Sequence, residues 1–257
     1  MKIQFLNIYV DNLTMEEAVD EIDQMIATDR KGYIVTPNMD GIVILEEDEM
    51  FQKAYDEAAL VLTDGKPLIW ISHLLRAPIK EKVSGSDLFP ELCGRAAEKG
   101  YTIFILGAEE GVAPKAIANM KKKYPDIRFC GYYSPPYGFE KKTDELKKTI
   151  DRINEAKPDI LAVALGAPKG EKFLYQVRDR INAKISLQIG ATIDFMAGKV
   201  KRAPKWMSDM GFEWLFRIMQ EPKRLLKRYV RDAVKIIPII IKYAKQTKEA
   251  YKKERKI

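Results

Sequence analysis

Short apolar runs alternate along the first three quarters of the chain with longer segments whose apolar residues recur at helical spacing. Short runs of this kind, each followed at once by turn residues, are typical of buried parallel strands. They lie at 33–35, 59–62, 101–106, 127–130, 160–165 and 185–189. The alternation predicts an α/β fold with a Rossmann-like, doubly wound and mostly parallel sheet that is covered by helices.

The segments around the first strands predict further elements. Residues 2–11 are expected to form a short hairpin, and Thr14 with Glu17 has the spacing of a capping box that opens a helix. Apolar positions recur at helical spacing between the first two strands, which predicts one helix over about 42–55. Ser86 is expected to be the N-cap of the helix that follows it.

Polar residues follow the first two strands directly, at Thr36, Asn38 and Asp64. The carboxyl ends of parallel strands meet at one edge of a sheet, and ligands of open α/β sheets bind at that edge. We therefore expect these three side chains to share one crevice. A lone Asp after a strand is more often a turn former or a helix cap than a catalyst, so both roles stay open for Asp64 at this point.

Two later loops have features that suit a nucleotide. Gly107 follows the strand at 101–106 and precedes a helix, whose free N-terminal amides suit a diphosphate. The spacing is not that of the GxGxxG fingerprint, and a turn of this kind often has no ligand. The loop at 131–139 contains three tyrosines and two prolines, and Tyr137 within it could cover a base or a sugar or pack as a lid on the core.

The pattern changes near residue 198, which predicts an α/β catalytic domain over 1–197 and a basic helical appendage over 198–257. From residue 217 onward the chain has 14 Lys+Arg and 4 Asp+Glu, so all of the net charge of +7 comes from the tail. Apolar residues interleaved with Lys and Arg are typical of a helix lying in a membrane interface. The alternative is a helix docked on the body with its basic face in water. The residues expected to face the membrane are Leu225, Arg228, Ile236 and Ile240.

Composition limits the location of the protein. Cys93 and Cys130 lie in no metal-binding or CxxC spacing, which favours a reducing cytoplasm. The N-terminus lacks the apolar core of a signal peptide, and no apolar run reaches about 18 residues. With the basic tail, these features predict a peripheral protein on the cytoplasmic face of the cell membrane. The apolar tail surface would also allow self-association into a homo-oligomer.

Several short motifs, taken together, resemble the WecG/TagA/CpsF family of bacterial glycosyltransferases, also called glycosyltransferase family 26. They follow the family's order and cover nearly the whole chain. The matching stretches are Thr-Pro-Asn (36–38), Thr-Asp-Gly (63–65), Gly-Ser-Asp-Leu (85–88), Leu-Gly-Ala-Pro-Lys (165–169), Asp-Phe-Met-Ala-Gly (194–198), Lys-Arg-Ala-Pro (201–204), Gly-Phe-Glu-Trp-Leu (211–215) and Gln-Glu-Pro (220–222) followed by Arg-Leu (224–225).

The resemblance implies an inverting enzyme of cell-surface polysaccharide biosynthesis that moves a sugar from a UDP donor to a polyprenyl-diphosphate-linked saccharide. Asp64 matches the proposed general base, and Thr36 and Asn38 match the active-site pocket. Arg217 and Arg224 match arginines of the appendage that are thought to close over the donor diphosphate.

The UDP-sugar is the donor substrate, and the resemblance implies no cofactor and no metal. The absence of an Asp-x-Asp pair in a strand-end loop also argues against a metal-chelated donor. Charge on the leaving diphosphate would then be stabilised by cationic side chains and helix amides. Besides Arg217 and Arg224, the expected donor-binding residues are Lys82, Gly107, Tyr137, Gly166 and Lys169.

Departures from the family pattern bear on the identity of the donor. Gly170 stands where many members have Gln, which removes an amide that could bind a sugar hydroxyl or acetamido group. Asp40 and the Lys-Pro-Leu at 66–68 look more like the branch that includes xanthan-type glucosyltransferases. The predicted donor is therefore UDP-glucose. The alternative within the family is UDP-N-acetylmannosamine or its uronic acid.

Two other classes of protein were weighed. A nucleotide- or nucleic-acid-binding module could use the basic tail, but the tail is rich in isoleucine and the body is mildly acidic, so no nucleic-acid partner is expected. An NAD-dependent dehydrogenase would need the glycine fingerprint and an acidic ribose partner, which are missing. The single histidine, His73, is interpreted as a packed helix residue.

Overall fold

A computed structural model describes residues 2–254, apart from the side chains of Lys205, Asp209 and Arg224. Its strands are β1 (Lys2–Phe5), β2 (Ile8–Asp11), β3 (Gly32–Val35), β4 (Leu60–Val61), β5 (Thr102–Gly107), β6 (Arg128–Tyr133), β7 (Ile160–Ala164) and β8 (Ile185–Gln188). Its helices are α1 (Met15–Ala27), α2 (Met39–Leu45), α3 (Glu49–Asp56), α4 (Lys66–Leu74), α5 (Gly85–Lys99), α6 (Val112–Lys123), α7 (Thr143–Ala156), α8 (Lys169–Val177), α9 (Thr192–Met196), α10 (Lys205–Asp209), α11 (Glu213–Gln220) and α12 (Pro222–Glu254).

Within residues 2–254, six strands form one sheet in the order β4-β3-β8-β7-β5-β6, and every neighbouring pair is parallel. The strands β1 and β2 form a separate antiparallel hairpin, as residues 2–11 predict. Because all six strands run in the same direction, every strand-end loop lies at one edge of the sheet. The predicted α/β fold with a Rossmann-like, mostly parallel sheet is confirmed.

Hydrophobic cores on the two faces of the sheet explain why most of its strand residues are apolar. One core joins the hairpin to α2, α3, α8 and α12, with Phe5, Phe51 and Phe173 fully buried. The other joins the sheet to α1, α5 and α6, with Phe89 fully buried. The inner strands therefore lie between two apolar layers, whereas the edge strand β6 alternates between exposed and half-buried residues.

Local boundaries differ from the predictions in three places. The helix expected over 42–55 is divided into α2 and α3, because Asp48 accepts from the amide of Phe51 and caps a new helix. Ser84, not Ser86, is the N-cap of α5, and its hydroxyl accepts from the amide of Asp87. Strand β6 extends to residue 133, so only Tyr137 of the three tyrosines lies on the loop.

Helix α12 docks on the body, which corrects the predicted membrane-facing residues. Leu225 is fully buried, Ile236 is 5% exposed and Ile240 packs against the same core as the hairpin. Arg228 lies 3.7 Å from Asp40 of α2. Side chains that fill a core cannot also enter a bilayer, so all four residues face the protein.

A different stripe of α12 is exposed. Its residues recur every three or four positions and therefore share one face of the helix. They are Leu226, Val230, Val234, Ile237 and Ile241. No helix within residues 2–254 has the length and apolar character needed to cross a bilayer. Membrane association and the division near residue 198 stay predictions.

Candidate functional site

Asp64 lies in the loop between β4 and α4, next to the loop that follows β3. The amide of Asp64 donates to the carbonyl oxygen of Pro37 at 2.9 Å, so the two strand ends are joined directly. Gly65 follows with a φ of +102°, a conformation that strongly favours glycine and that turns the chain sharply into α4. Thr36, Asn38 and Asp64 therefore lie at the same edge of the sheet, because β3 and β4 run parallel and end side by side.

Four charged residues act on the half-buried Asp64 carboxyl. Burial raises the pKa of Asp64 to about 6, with a smaller contribution in the same direction from the carboxylates of Glu213 and Asp87. The positive charges of Lys82 and Arg217 lower this pKa but do not cancel the effect of burial. A carboxyl group with this pKa is mostly ionised at neutral pH and can still accept a proton readily.

Lys82, in the loop between α4 and α5, and Asp87, in the first turn of α5, both act on this carboxyl. The Val83 amide donates to the Thr63 carbonyl oxygen at 2.8 Å, which fixes the loop before α5 beside the Asp64 loop. The Lys82 ammonium lies 2.6 Å from the Asp87 carboxylate. Hydrogen bonds and charge from Lys82, together with other donors, lower the pKa of Asp87 to about 2 despite its burial.

Arg202 joins the same cluster from the loop that precedes α10. Its guanidinium donates to the Asp87 carboxylate and, at 3.3 Å, to the Ser86 carbonyl oxygen. It also lies 3.6 Å from the Glu213 carboxylate on α11. Arg202 therefore links the loop before α10 to the N-terminal turn of α5.

Helix α11 brings Arg217 to the site. The turn before α11 packs closely on α4, since a Cβ atom on Gly211 would lie 2.8 Å from the Trp70 ring. The guanidinium of Arg217 lies 6.0 Å from the centre of the Phe195 ring. Its positive charge lowers the pKa of Asp64, while the predicted contact of Arg217 with the donor diphosphate stays a prediction.

Thr36 and Asn38 lie at the carboxyl end of β3 but have different surroundings. Thr36 faces the start of α5, where its hydroxyl oxygen would be 3.5 Å from a Cβ atom on Gly85. The side-chain oxygen of Asn38 accepts from the Gly41 amide at 3.1 Å and caps α2. The side-chain oxygen of Asn38 therefore caps α2, and the NH2 group is the part of this side chain that could bind a ligand.

The other predicted donor-binding residues form a second group near the ends of β5, β6 and β7. The Lys169 ammonium lies 4.3 Å from the centre of the Tyr137 ring and 3.7 Å from the Glu140 carboxylate. Gly166 is exposed in the loop after β7, and Gly107 ends β5 with a φ of +94°. Strands β7 and β4 are three positions apart in the sheet, which corresponds to about 14 Å. The two groups therefore lie at the same edge of the sheet, at the ends of different strands.

Some functional candidates lie outside the predicted set. The predicted site residues do not include Asp87, Arg202 or Glu213, although all three lie in motifs that resemble those of the family. Their role depends on contacts across long stretches of chain, and the only sequence signal was the motif itself. Arg224 lies in the first turn of α12, and its side chain lies outside the described part of the structure.

Glu171 and Gln188 form a buried polar pair close to the crevice. Burial raises the pKa of Glu171 to about 7, while a hydrogen bond from Gln188 opposes that rise. Gln188 is 6% exposed and ends β8 between the loops that follow β3 and β7. Within the described part of the chain, Glu171 Oε2 has no hydrogen-bond partner.

This arrangement combines a carboxylate that can take a proton with two cations, Lys82 and Arg217, that can stabilise negative charge. These are the groups that a displacement with an anionic leaving group requires. No three His, Cys, Asp or Glu side chains come together as metal ligands among the described residues. The metal-free mechanism remains a prediction.

Comparisons with known proteins extend over nearly the whole chain. The sequence model described as "Glycosyl transferase WecG/TagA/CpsF family" matches residues 3–250. Similar curated proteins include an N-acetylglucosaminyldiphosphoundecaprenol N-acetyl-beta-D-mannosaminyltransferase of Bacillus subtilis strain 168, which is 29% identical over 251 residues, covering 97% of this chain and 95% of the relative. Proteins with the same name are 28% identical in Bacillus spizizenii, over 80% of this chain and 78% of the relative, and 26% identical in Staphylococcus aureus strain MRSA252, over 98% and 95%.

Proposed function

This chain belongs to the WecG/TagA/CpsF family of glycosyltransferases, and on that premise we propose that it transfers N-acetylmannosamine from a UDP-linked donor. The proposed acceptor is a polyprenyl diphosphate that carries N-acetylglucosamine. Both substrates are taken from the names of the relatives, which match this chain over most of its length. The product would be a lipid-linked disaccharide for cell-surface polysaccharide.

The names of the relatives favour the alternative donor over the predicted one. UDP-glucose was predicted because Asp40 and the segment at 66–68 resemble another branch of the family, and because Gly170 lacks an amide that could bind an acetamido group. The three similar curated proteins described above are named as N-acetylmannosaminyltransferases. Loop motifs a few residues long therefore carried less information about the donor than similarity along the whole chain.

The observation that carries the mechanism is the position of Asp64, which has a raised pKa and is influenced by Lys82 and Arg217. The Asp64 carboxylate takes the proton of the acceptor hydroxyl as the hydroxyl oxygen attacks the anomeric carbon. The bond from that carbon to the diphosphate oxygen breaks on the opposite face, and UDP leaves with the electron pair. Attack opposite to the leaving group inverts the anomeric centre.

Lys82 and Arg217 stabilise the negative charge that develops on the departing diphosphate. Their side chains come from the body and from the appendage, so the complete site needs both. Arg202 of the appendage contacts Asp87 of the body, and it also lies close to Glu213 within the appendage. Tyr137 and Lys169 bind the nucleotide part of the donor at the other end of the crevice.

The protein works as a peripheral enzyme on the cytoplasmic face of the membrane, where a polyprenyl carrier is embedded. The exposed apolar stripe of α12, with lysines near it, suits contact with an anionic lipid surface.

A panel of UDP-sugars tests the proposed reaction. The full-length protein is mixed with a short polyprenyl-diphosphate N-acetylglucosamine, and UDP release is followed with each donor. We expect release that depends on the acceptor and is fastest with UDP-N-acetylmannosamine. Faster release with UDP-glucose would identify UDP-glucose as the donor instead. No release with any donor, in a folded protein, would refute the proposed reaction.

A further inference from the structure

Positions 170 and 188 compete for one volume at the carboxyl edge of the sheet. Gly170 lies in the first turn of α8, and Gln188 is the last residue of β8. A Cβ atom on Gly170 would lie 2.8 Å from Cγ, 2.9 Å from Nε2 and 3.0 Å from Cδ of Gln188. Carbon atoms do not pack this closely, so a side chain at 170 and the observed side chain at 188 exclude each other.

The Gln188 amide links the two loops that follow β7 and β8. Its Nε2 donates to the Leu165 carbonyl oxygen at 2.8 Å, and its Oε1 accepts from the Gly190 amide at 2.6 Å. An amide oxygen has two lone pairs, so one acceptor site of Oε1 remains after the bond from Gly190. A Cβ atom on Gly190 would lie 3.8 Å from Oε1, and glycine leaves that space empty.

Gln188 also lies close to the proposed reacting groups. Strand β8 is the direct neighbour of β3, which ends in Thr36. A Cβ atom on Gly85 would be 3.2 Å from the Gln188 carbonyl oxygen and 3.5 Å from the Thr36 hydroxyl oxygen. Gln188 and Thr36 therefore meet at the N-terminus of α5, between the Asp64 group and the Lys169 group.

We propose that Gln188 is a donor-specificity residue, and that the free acceptor site of its side-chain oxygen receives the N–H of the donor's 2-acetamido group. The sugar of a nucleotide donor has to lie between the nucleotide and the base, and Gln188 lies between Lys169 and Asp64. Gly170 is required because any larger residue there would displace the Gln188 amide. This inference rests on the proposed function, since it assumes an N-acetylated donor.

A hydrogen-bond acceptor that is held in a buried site discriminates strongly between ligands with and without the matching donor. The Gln188 oxygen is kept in place by the Gly190 amide, and its side chain is 6% exposed. A donor with a 2-hydroxyl group in place of the acetamido group loses the amide N–H and the acetyl contacts. A site built for a hydrogen bond rejects an analogue that leaves the bond unmade.

The test compares two donors, UDP-N-acetylmannosamine and UDP-mannose, which differ at the 2-position. The ratio of their kcat/KM values is measured for the full-length protein and for Gln188→Met, which keeps the length of the side chain but removes the amide. We expect this ratio to fall by about 10- to 100-fold, as for a lost hydrogen bond in a buried site, while the affinity for UDP stays the same. Gln176→Met, an exposed substitution on α8, is the matched control and should leave the ratio unchanged.

A second pair of variants moves the amide from β8 to α8. Gln188→Gly alone should lower the ratio of the two kcat/KM values. Adding Gly170→Gln to this variant should restore most of the ratio. A purely structural role for Gln188 would lower kcat/KM equally for both donors, and that outcome would overturn the inference. So would an unchanged ratio in Gln188→Met. If the relocated variant does not fold, the Gln188→Met ratio decides alone.

The two proposals fail in different ways. If the unaltered protein transfers sugar from neither donor, the proposed function fails and the inference falls with it. If the unaltered protein prefers the acetamido donor and Gln188→Met keeps that preference, only the inference about Gln188 is wrong.

Discussion

Lys82 and Asp87 form an ion pair at 2.6 Å, and their charges act on the Asp64 carboxyl in opposite directions. Lys82 lowers the pKa of Asp64, whereas Asp87 raises it. The pair therefore sets how far the ammonium of Lys82 favours the ionised form of Asp64. A donor diphosphate could replace the Asp87 carboxylate as the anionic partner of Lys82.

Asp64→Asn should reduce transfer by about 10²- to 10⁴-fold, the usual contribution of a positioned general base. Asparagine has nearly the same shape as aspartate but cannot take the proton of the acceptor hydroxyl. UDP release with the preferred donor measures the loss, and UDP binding should persist. Asp126→Asn, an exposed substitution, serves as the control. Activity near that of the unaltered protein in Asp64→Asn would exclude this residue as the base.

The pH dependence of kcat/KM should show an ascending limb near pH 6, because Asp64 must be ionised to accept a proton and its pKa is raised to about 6. Asp87→Asn removes a negative charge that raises this pKa and frees Lys82 to act on Asp64. Its limb should therefore lie at lower pH. A limb that stays in place in Asp87→Asn would show that the titrating group is not Asp64.

The same carboxyl should lower the stability of the folded protein as pH rises. Its folded pKa of about 6 exceeds the ordinary value of 3.8, so the folded state binds more protons than the unfolded state between these values. The free energy of unfolding therefore falls from about pH 4 to pH 6. At pH 8 the free energy of unfolding of Asp64→Asn should be about 1–3 kcal/mol higher than that of the unaltered protein. Denaturant titrations at pH 4 and pH 8 measure the difference, and an equally large gain at pH 4 would have another cause.

Transfer should continue after treatment with EDTA. The proposed charge stabilisation comes from Lys82 and Arg217, which need no metal. The rate of UDP release before and after chelation checks this, with dialysed protein as the control. Loss of activity that manganese restores would assign the stabilisation of the diphosphate to a metal ion.

Substituting Ile237 and Ile241 together with Glu should weaken binding to vesicles that contain anionic lipid. Both residues are exposed on α12, and a charged side chain there opposes insertion of the apolar face. Tyr9→Glu, on the exposed face of the hairpin, is the matched control. Co-sedimentation in high salt separates apolar insertion from charge attraction, and unchanged binding of the double variant would exclude this face.

The sequence predicted the sheet well because most of its parallel strands are apolar runs buried between two apolar layers. It also placed Asp64 correctly, since a strand-end position depends on only a few neighbouring residues. The face of α12 was wrong, because Leu225 and Leu226 have the same character and only tertiary packing decides that the first is buried and the second exposed.

Positions 170 and 188 illustrate the same limit within the site. Gly170 alone suggested that a side-chain amide was absent from the donor pocket. Gln188 occupies the adjoining space, 18 positions later in the chain, and supplies an amide from another strand. A prediction made one motif at a time could not connect the two positions, because their relation depends on the alignment of α8 with β8.

The edge of the sheet at β4 has a consequence for behaviour at high protein concentration. An open edge strand presents unpaired amides that can pair with a strand of another molecule. Here β4 has two residues, and the Val61 amide donates to the Asp11 side chain of the hairpin at 2.9 Å. The Asp11 carboxylate therefore occupies an amide that a strand of a second molecule would need, which opposes growth of the sheet beyond β4.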